Sequence, residues 1–154
     1  MALLITGAMG HLGYEIVRQA VAQGVDVVAL YRGTFREADA QAIKGLVIWV
    51  KADLDDVEAV RALAQSHGVS RCIHCAAVSN EAYARPNPLD AIASNISATA
   101  NLLEVARLQG WQRFILVSTG SVFRSARIPS RRFRRMPSPS RAISTARQNT
   151  VLKC

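Results

Sequence analysis

The last 31 residues of this 154-residue chain contain no acid. All 11 Asp and Glu lie in residues 1–123, together with ten of the 19 Lys and Arg, so that part carries a net −1. Residues 124–154 hold the other nine basic side chains and carry +9. The overall +8 therefore belongs to the tail and gives no ground for reading the body as a nucleic-acid binder. Long apolar runs are also missing: nothing approaches the roughly 20 residues that a membrane span needs. Met1 leads straight into Ala2-Leu3-Leu4-Ile5 without a basic leader or a small-residue cleavage site, so no signal peptide is expected and a cytoplasmic location is. Three cysteines are too few for a disulfide framework and suit a reducing compartment. Cys72 and Cys75 form a C-x-x-C within a strand-like run, where residues three apart face opposite ways; packing is expected of them, and no metal site. Tyrosine stops at Tyr83, and no Y-x-x-x-K occurs anywhere.

Half of the chain is hydrophobic. Five short runs rich in Val, Ile and Leu are expected as strands: Leu3–Thr6, Val25–Tyr31, Leu46–Val50, Arg71–Cys75 and Arg113–Ser118. They are nearly continuous in apolar character, the pattern of parallel strands covered on both faces. Helical periodicity fills the gaps over His11–Gln23, Asp55–His67 and Pro88–Gln109, with a weaker helix at Phe35–Ile43; Gly24, Gly68 and Gly110 follow the three stronger ones. Alternating strands and helices predict an α/β fold: a Rossmann-type, doubly wound parallel sheet, incomplete at about five strands. The domain is expected to end at residue 123. Residues 124–154, where Ser, Arg and Pro dominate, are expected to be a disordered basic tail.

The chemistry-bearing segment is Thr6-Gly7-Ala8-Met9-Gly10-His11-Leu12-Gly13. It follows the first strand and opens an amphipathic helix, the context a phosphate-binding turn requires. Gly7 permits a tight turn, Gly10 lets backbone approach a pyrophosphate, and Gly13 lets helix pack closely on strand. Met9, His11 and Leu12 complete a helix N-terminus whose free N–H groups favour an anion. The second strand ends Tyr31-Arg32-Gly33 without the acid that would bind ribose hydroxyls; Arg32 could pair with a 2′-phosphate instead, which favours NADP over NAD.

Taken in order, these residues resemble the extended short-chain dehydrogenase/reductases, the NAD-dependent epimerase/dehydratase group, and the resemblance covers residues 1–123. Thr6-Gly7-x-x-Gly10-x-x-Gly13 looks like its glycine motif. Asp53-Leu54 looks like its adenine-contacting pair, and Ile73-His74-Cys75-Ala76-Ala77 is similar to its H-x-A-A segment beside the cofactor. Asn95 through Glu104 is similar to its N-V-x-G-T-x-N-L-L-E helix, and Phe114 through Phe123 to the strand that carries Ser118 and Thr119. The resemblance implies cofactor contacts from Ala76, Ala77, Asn95 and Ser118 and a catalytic role for Thr119. Other readings remain open from the residues alone. Asp53 could cap the helix after it, His74 could be a core histidine, and Asn95 could bridge neighbouring segments.

The resemblance also implies a Tyr and a Lys four residues on, which this chain lacks. Reading the tail one base out of register supplies them. Arg131–Pro137 can then encode Pro-Val-Pro-Glu-Asp-Ala, and Ala142–Lys153 can encode Tyr-Ile-Asp-Gly-Lys-Thr-Lys-His-Gly-Ala-Glu. The expected function is thus an NAD(P)-dependent epimerase, dehydratase or reductase acting on a sugar-nucleotide or similar hydroxyl or carbonyl substrate, with this chain an inactive, truncated or frameshifted fragment. A non-catalytic NAD(P) sensor of the same fold and a non-specific polyanion binder working through the tail are the alternatives. An incomplete sheet leaves apolar surface for a dimer.

Overall fold

A computed structural model describes residues 1–119. Met1–Val117 form one compact unit, and Ser118 and Thr119 belong to a second. The elements, in order, are β1 (Ala2–Thr6), α1 (His11–Ala22), β2 (Val27–Tyr31), α2 (Glu37–Ala42), β3 (Val47–Lys51), α3 (Val57–Ser66), β4 (Val69–His74), α4 (Glu81–Ala84), α5 (Pro88–Ile92), a π-helical turn (Ala93–Ser97), α6 (Ala98–Leu108) and β5 (Arg113–Leu116). All strand pairs are parallel and the order is β3-β2-β1-β4-β5. This is the Rossmann-type sheet that the alternation of elements predicts. The expected disordered tail lies outside the described residues.

Alternate residues of β1 and β2 feed opposite cores. Leu4, Val28 and Leu30 pack with Val60 and Ala64 of α3 and with Leu102, Val105 and Ala106 of α6. Ile5, Val27 and Ala29 pack with Val17 of α1. Burial on both faces is why these strands read as unbroken apolar runs. The expectation of two-sided cover fails at the rims of the sheet. β3 is only partly buried, and along β5 Ile115 and Leu116 are about half exposed. Among the described residues both are edge strands, and an edge strand has a neighbour on one side only.

The single helix expected over Pro88–Gln109 is divided. Pro88 occupies the first turn of α5, and the π-helical turn then interrupts the ladder before α6 begins. Ser94, Asn95 and Ser97 fall in that turn. Such residues compete for backbone hydrogen bonds and favour helix ends over interiors. α3 begins later than Asp55: the carboxylate of Asp56 accepts from the Ala59 N–H at 2.9 Å and caps the helix.

Candidate functional site

The strand order reverses at β1, since β2 lies on one side of it and β4 on the other. In open parallel sheets the crevice beyond the carboxyl ends of the strands at such a point is where ligands bind. A cavity of about 330 Å³ lies there, at the small end of the range for ligand pockets. Its lining comes from segments that follow four strands: Gly7, Met9 and Gly10 after β1; Leu30 to Thr34 at the end of β2; Ala52, Asp53 and Leu54 after β3; and Cys75, Ala76 and Ala77 after β4. Ser94 of the π-helical turn and Ala98 of α6 complete it.

The glycines of the turn fit by necessity. Gly7 has φ +64°, and a Cβ there would stand 2.8 Å from the Ala76 nitrogen. A Cβ on Gly13 would stand 2.2 Å from the Gly7 carbonyl oxygen. α1 therefore starts hard against the end of β1, and β1 hard against the Cys75–Ala76 backbone. Gly10 is the N-cap residue, and α1 has no acid in its first turn, so the positive end of the helix is not offset by its own side chains. His11, Leu12 and Gly13 form that first turn and are not part of the cavity lining.

A buried hydrogen-bond chain holds the same corner. The Thr6 hydroxyl accepts from the N–H groups of Cys75 and Ala76, each at 3.2 Å. With its acceptor sites so used, it donates its proton to His74 Nδ1 at 2.6 Å. His74 then carries its own proton on Nε2 and donates to Thr99 Oγ1 at 3.0 Å; Thr99 donates in turn to the Asn95 carbonyl at 2.9 Å. Thr6 and His74 are both fully buried, and burial pushes the imidazole down to about 4. His74 is thus a neutral structural residue, the core-histidine alternative open from the sequence. Its partners Thr6 and Thr99 lie 68 and 25 residues away, and no local pattern around His74 points to them.

This arrangement makes the fold sensitive to acid. Unfolded, His74 takes a proton near pH 6.5; folded, it stays neutral down to about pH 4. Its contribution to stability is complete above pH 6.5, shrinks as the pH falls and is lost by about pH 4. Between pH 7.5 and 5 the loss is expected to be about 2 kcal/mol. Urea denaturation at the two pH values measures it. In His74→Gln the difference should largely vanish, and a variant with an undiminished difference would place the acid sensitivity elsewhere.

The remaining sequence-named residues occupy varied positions. Asp53 lies in the cavity wall, and its carboxylate accepts from the Asp55 N–H at 3.2 Å. The helix cap is Asp56, so the capping alternative for Asp53 does not hold. Leu54 is buried, and its carbonyl accepts from Asn101 Nδ2 at 2.9 Å. Asn95 stands outside the lining. Its amide bonds both backbone groups of Val78, accepting at 2.7 Å and donating at 3.0 Å, and so ties the loop after β4 to the π-helical turn; this is the bridging role. Arg32 lies in the wall but is engaged: Nη1 donates to Ser94 Oγ at 2.9 Å and lies 3.7 Å from the Asp90 carboxylate. Ser118 and Thr119 are exposed and follow β5 in the chain. Cys72 is a buried core residue and Cys75 part of the cavity wall, and burial raises both thiols above their usual range. Among the described residues no group of three or more His, Cys, Asp or Glu could hold a metal ion, and no helix is long and apolar enough to cross a membrane.

Known proteins share this architecture. A dTDP-4-dehydro-6-deoxy-D-allose reductase from a Streptomyces species is 30% identical over 125 residues, which are 79% of this chain and 38% of that protein. Sterol demethylase protein B from Methylococcus capsulatus is 36% identical over 121 residues, 77% of this chain and 34% of that one. Among solved structures, the UDP-glucose-4-epimerase of Stenotrophomonas maltophila, with bound NAD and formylated UDP-arabinopyranose, superposes with a TM-score of 0.73 at 26% identity, covering 80% of this chain and 38% of that one. The chain thus spans little more than a third of the length of these relatives. The glycine turn, the reversal of strand order above it and a match over residues 3–142 agree: the chain belongs to the NAD dependent epimerase/dehydratase family.

Proposed function

We propose that residues 1–123 are the dinucleotide-binding part of an NAD(P)-dependent epimerase, dehydratase or reductase acting on a sugar nucleotide or a similar hydroxyl- or carbonyl-bearing substrate. The observation that carries this reading is the cavity at the strand-order reversal, walled by Gly7 and Gly10 at the start of α1. The fit is specific. The pyrophosphate would lie against the backbone at Gly7, Met9 and Gly10, where the two glycines carry no Cβ and the helix dipole favours an anion. Asp53 and Leu54 would hold the adenine end, with Arg32 beside the ribose, and Ala76 and Ala77 would line the path toward the nicotinamide. A bound nicotinamide would supply hydride chemistry, and the protein would supply position and proton transfer.

Titration of the folded 154-residue chain with NADH and NADPH, followed by nucleotide fluorescence or calorimetry, tests the site. Both are expected to bind, NADPH at least as well as NADH because Arg32 can reach a 2′-phosphate. A folded sample that binds neither would overturn the site assignment, whereas a clear preference for NADH would overturn only the role given to Arg32.

The chain as it stands has no Y-x-x-x-K, so turnover is not expected of it. We attribute this to a shifted reading frame from about Arg124, in which the tail would encode the missing pair. The missing pair also suits the second reading, a nucleotide sensor on the same fold.

A further inference from the structure

Arg32 closes one side of the cavity against a segment far away in sequence. Its guanidinium donates to Ser94, 62 residues on, and faces the carboxylate of Asp90 on α5. That carboxylate is itself fixed, since the Tyr83 hydroxyl of α4 donates to its other oxygen at 2.8 Å. The side chains around the end of β2 thus form a polar strap: Arg32 just after that strand, Ser94 from the π-helical turn, Asp90 from α5 and Tyr83 from α4. Arg32 is the cation placed where the second ribose hydroxyl of a dinucleotide would come, 19 residues after Gly13. A 2′-phosphate would have to share that cation with a carboxylate that already faces it and would also repel the phosphate. An unphosphorylated ribose meets no such competition.

We propose that Asp90 is a specificity-determining positioning residue: by holding Arg32 in the cavity wall, it limits the preference for NADP over NAD. The inference rests on the dinucleotide reading above and deepens it. It separates two properties that the sequence joins in a single residue, because the presence of Arg32 and its freedom to bind a phosphate are different things. The pair is half exposed, with side-chain accessibilities of 47% for Arg32 and 39% for Asp90, so its influence should be moderate and sensitive to salt.

The test is a comparison of NADP and NAD dissociation constants in the 154-residue chain and its variants. Asp90→Asn is expected to raise the ratio of NADP to NAD affinity by about fivefold at low salt, and by less at about 1 M salt, where screening is nearly complete. A purely structural role would change both affinities alike and leave the ratio where it was. In an Arg32→Ala background the same Asp90→Asn change should alter the ratio by less than about twofold, which shows that Asp90 acts through Arg32. If the starting chain binds both nucleotides and Asp90→Asn leaves the ratio unchanged, the inference is wrong and the cofactor site stands. An equal gain in the Arg32→Ala background would also overturn it, since Asp90 would then act without Arg32. If the folded chain binds neither nucleotide, the dinucleotide reading fails and this inference fails with it.

Discussion

Gly13→Ala is expected to lower the melting temperature by about 10 °C or more and to abolish measurable dinucleotide binding. The added Cβ would sit 2.2 Å from the Gly7 carbonyl oxygen and 2.8 Å from its carbon. Neither atom can swing aside, because both are backbone. The same carbonyl accepts the Gly10 N–H at 2.8 Å, so moving it opens the turn itself. Nor can Gly7 retreat: the space its own Cβ would fill is bounded by the Ala76 nitrogen and the Cys75 carbonyl carbon. Those two residues are in turn fixed by the Thr6 hydroxyl. The relief available is to lift the start of α1 away from β1, which loosens Val17 from Ile5 and Ala29 in one core and withdraws the helix end from the cavity. Overpacking of a rigid site typically costs about 1–3 kcal/mol, and a clash with backbone belongs at or beyond the upper end. Gly33→Ala is the control. Gly33 also lines the cavity, yet a Cβ there meets nothing within 4 Å, so its stability should stay within about 0.5 kcal/mol of the parent. Thermal melts and nucleotide titrations of the two variants decide the matter. A Gly13→Ala protein that melts and binds like its parent would show that the closeness of α1 to β1 is not what builds the site.

The contrast between these glycines shows what the sequence discloses. Gly7, Gly10 and Gly13 could be picked out because their role depends on local spacing, and the turn they make joins adjacent elements. The strands were legible for a related reason: burial on two faces leaves an unbroken apolar run, as in Leu3-Leu4-Ile5 and Val27-Val28-Ala29-Leu30. Side-chain pairings that depend on the relative placement of distant segments were not legible. Nothing near His74 in sequence announces Thr6 or Thr99, and nothing near Arg32 announces Ser94 and Asp90. These partners meet only because β1 pairs with β4 in a register that sets Thr6 opposite His74, and because the chain after β4 returns over the sheet. The break in the long helix was hidden as well. Its apolar periodicity runs through Leu89, Ile92 and Ile96 to Leu102, whereas the π-helical turn holds Ser94 and Asn95, whose side chains accept from Arg32 and from the Val78 N–H, both far away in sequence.

Restoring the alternative frame from about codon 124, together with the coding sequence that follows, is expected to yield an active oxidoreductase or epimerase. The expectation rests on two bases of each shifted codon being largely fixed by the residues present. Ala142 and Ile143 supply a tyrosine codon, and Ala146 and Arg147 a lysine codon four positions later. A lysine at that spacing would lower the tyrosine pKa by its charge, so that the phenol could take or give a proton near neutral pH. The pair would act with Thr119, which the family resemblance places beside the reacting hydroxyl. Thr119→Ala in the restored protein should therefore slow the chemical step by about 10²–10⁴-fold, the usual range for a positioned proton-transfer group, while leaving nucleotide affinity within about twofold. Tyr→Phe at the restored position should cost at least as much. Steady-state turnover with nucleotide titration separates these effects, since loss of the fold would lower both. Coding DNA whose shifted frame meets an early stop, or lacks the tyrosine codon, would refute the frame assignment before any enzyme is made. Turnover by the 154-residue chain itself would refute it differently, because some other residue would then be moving the proton.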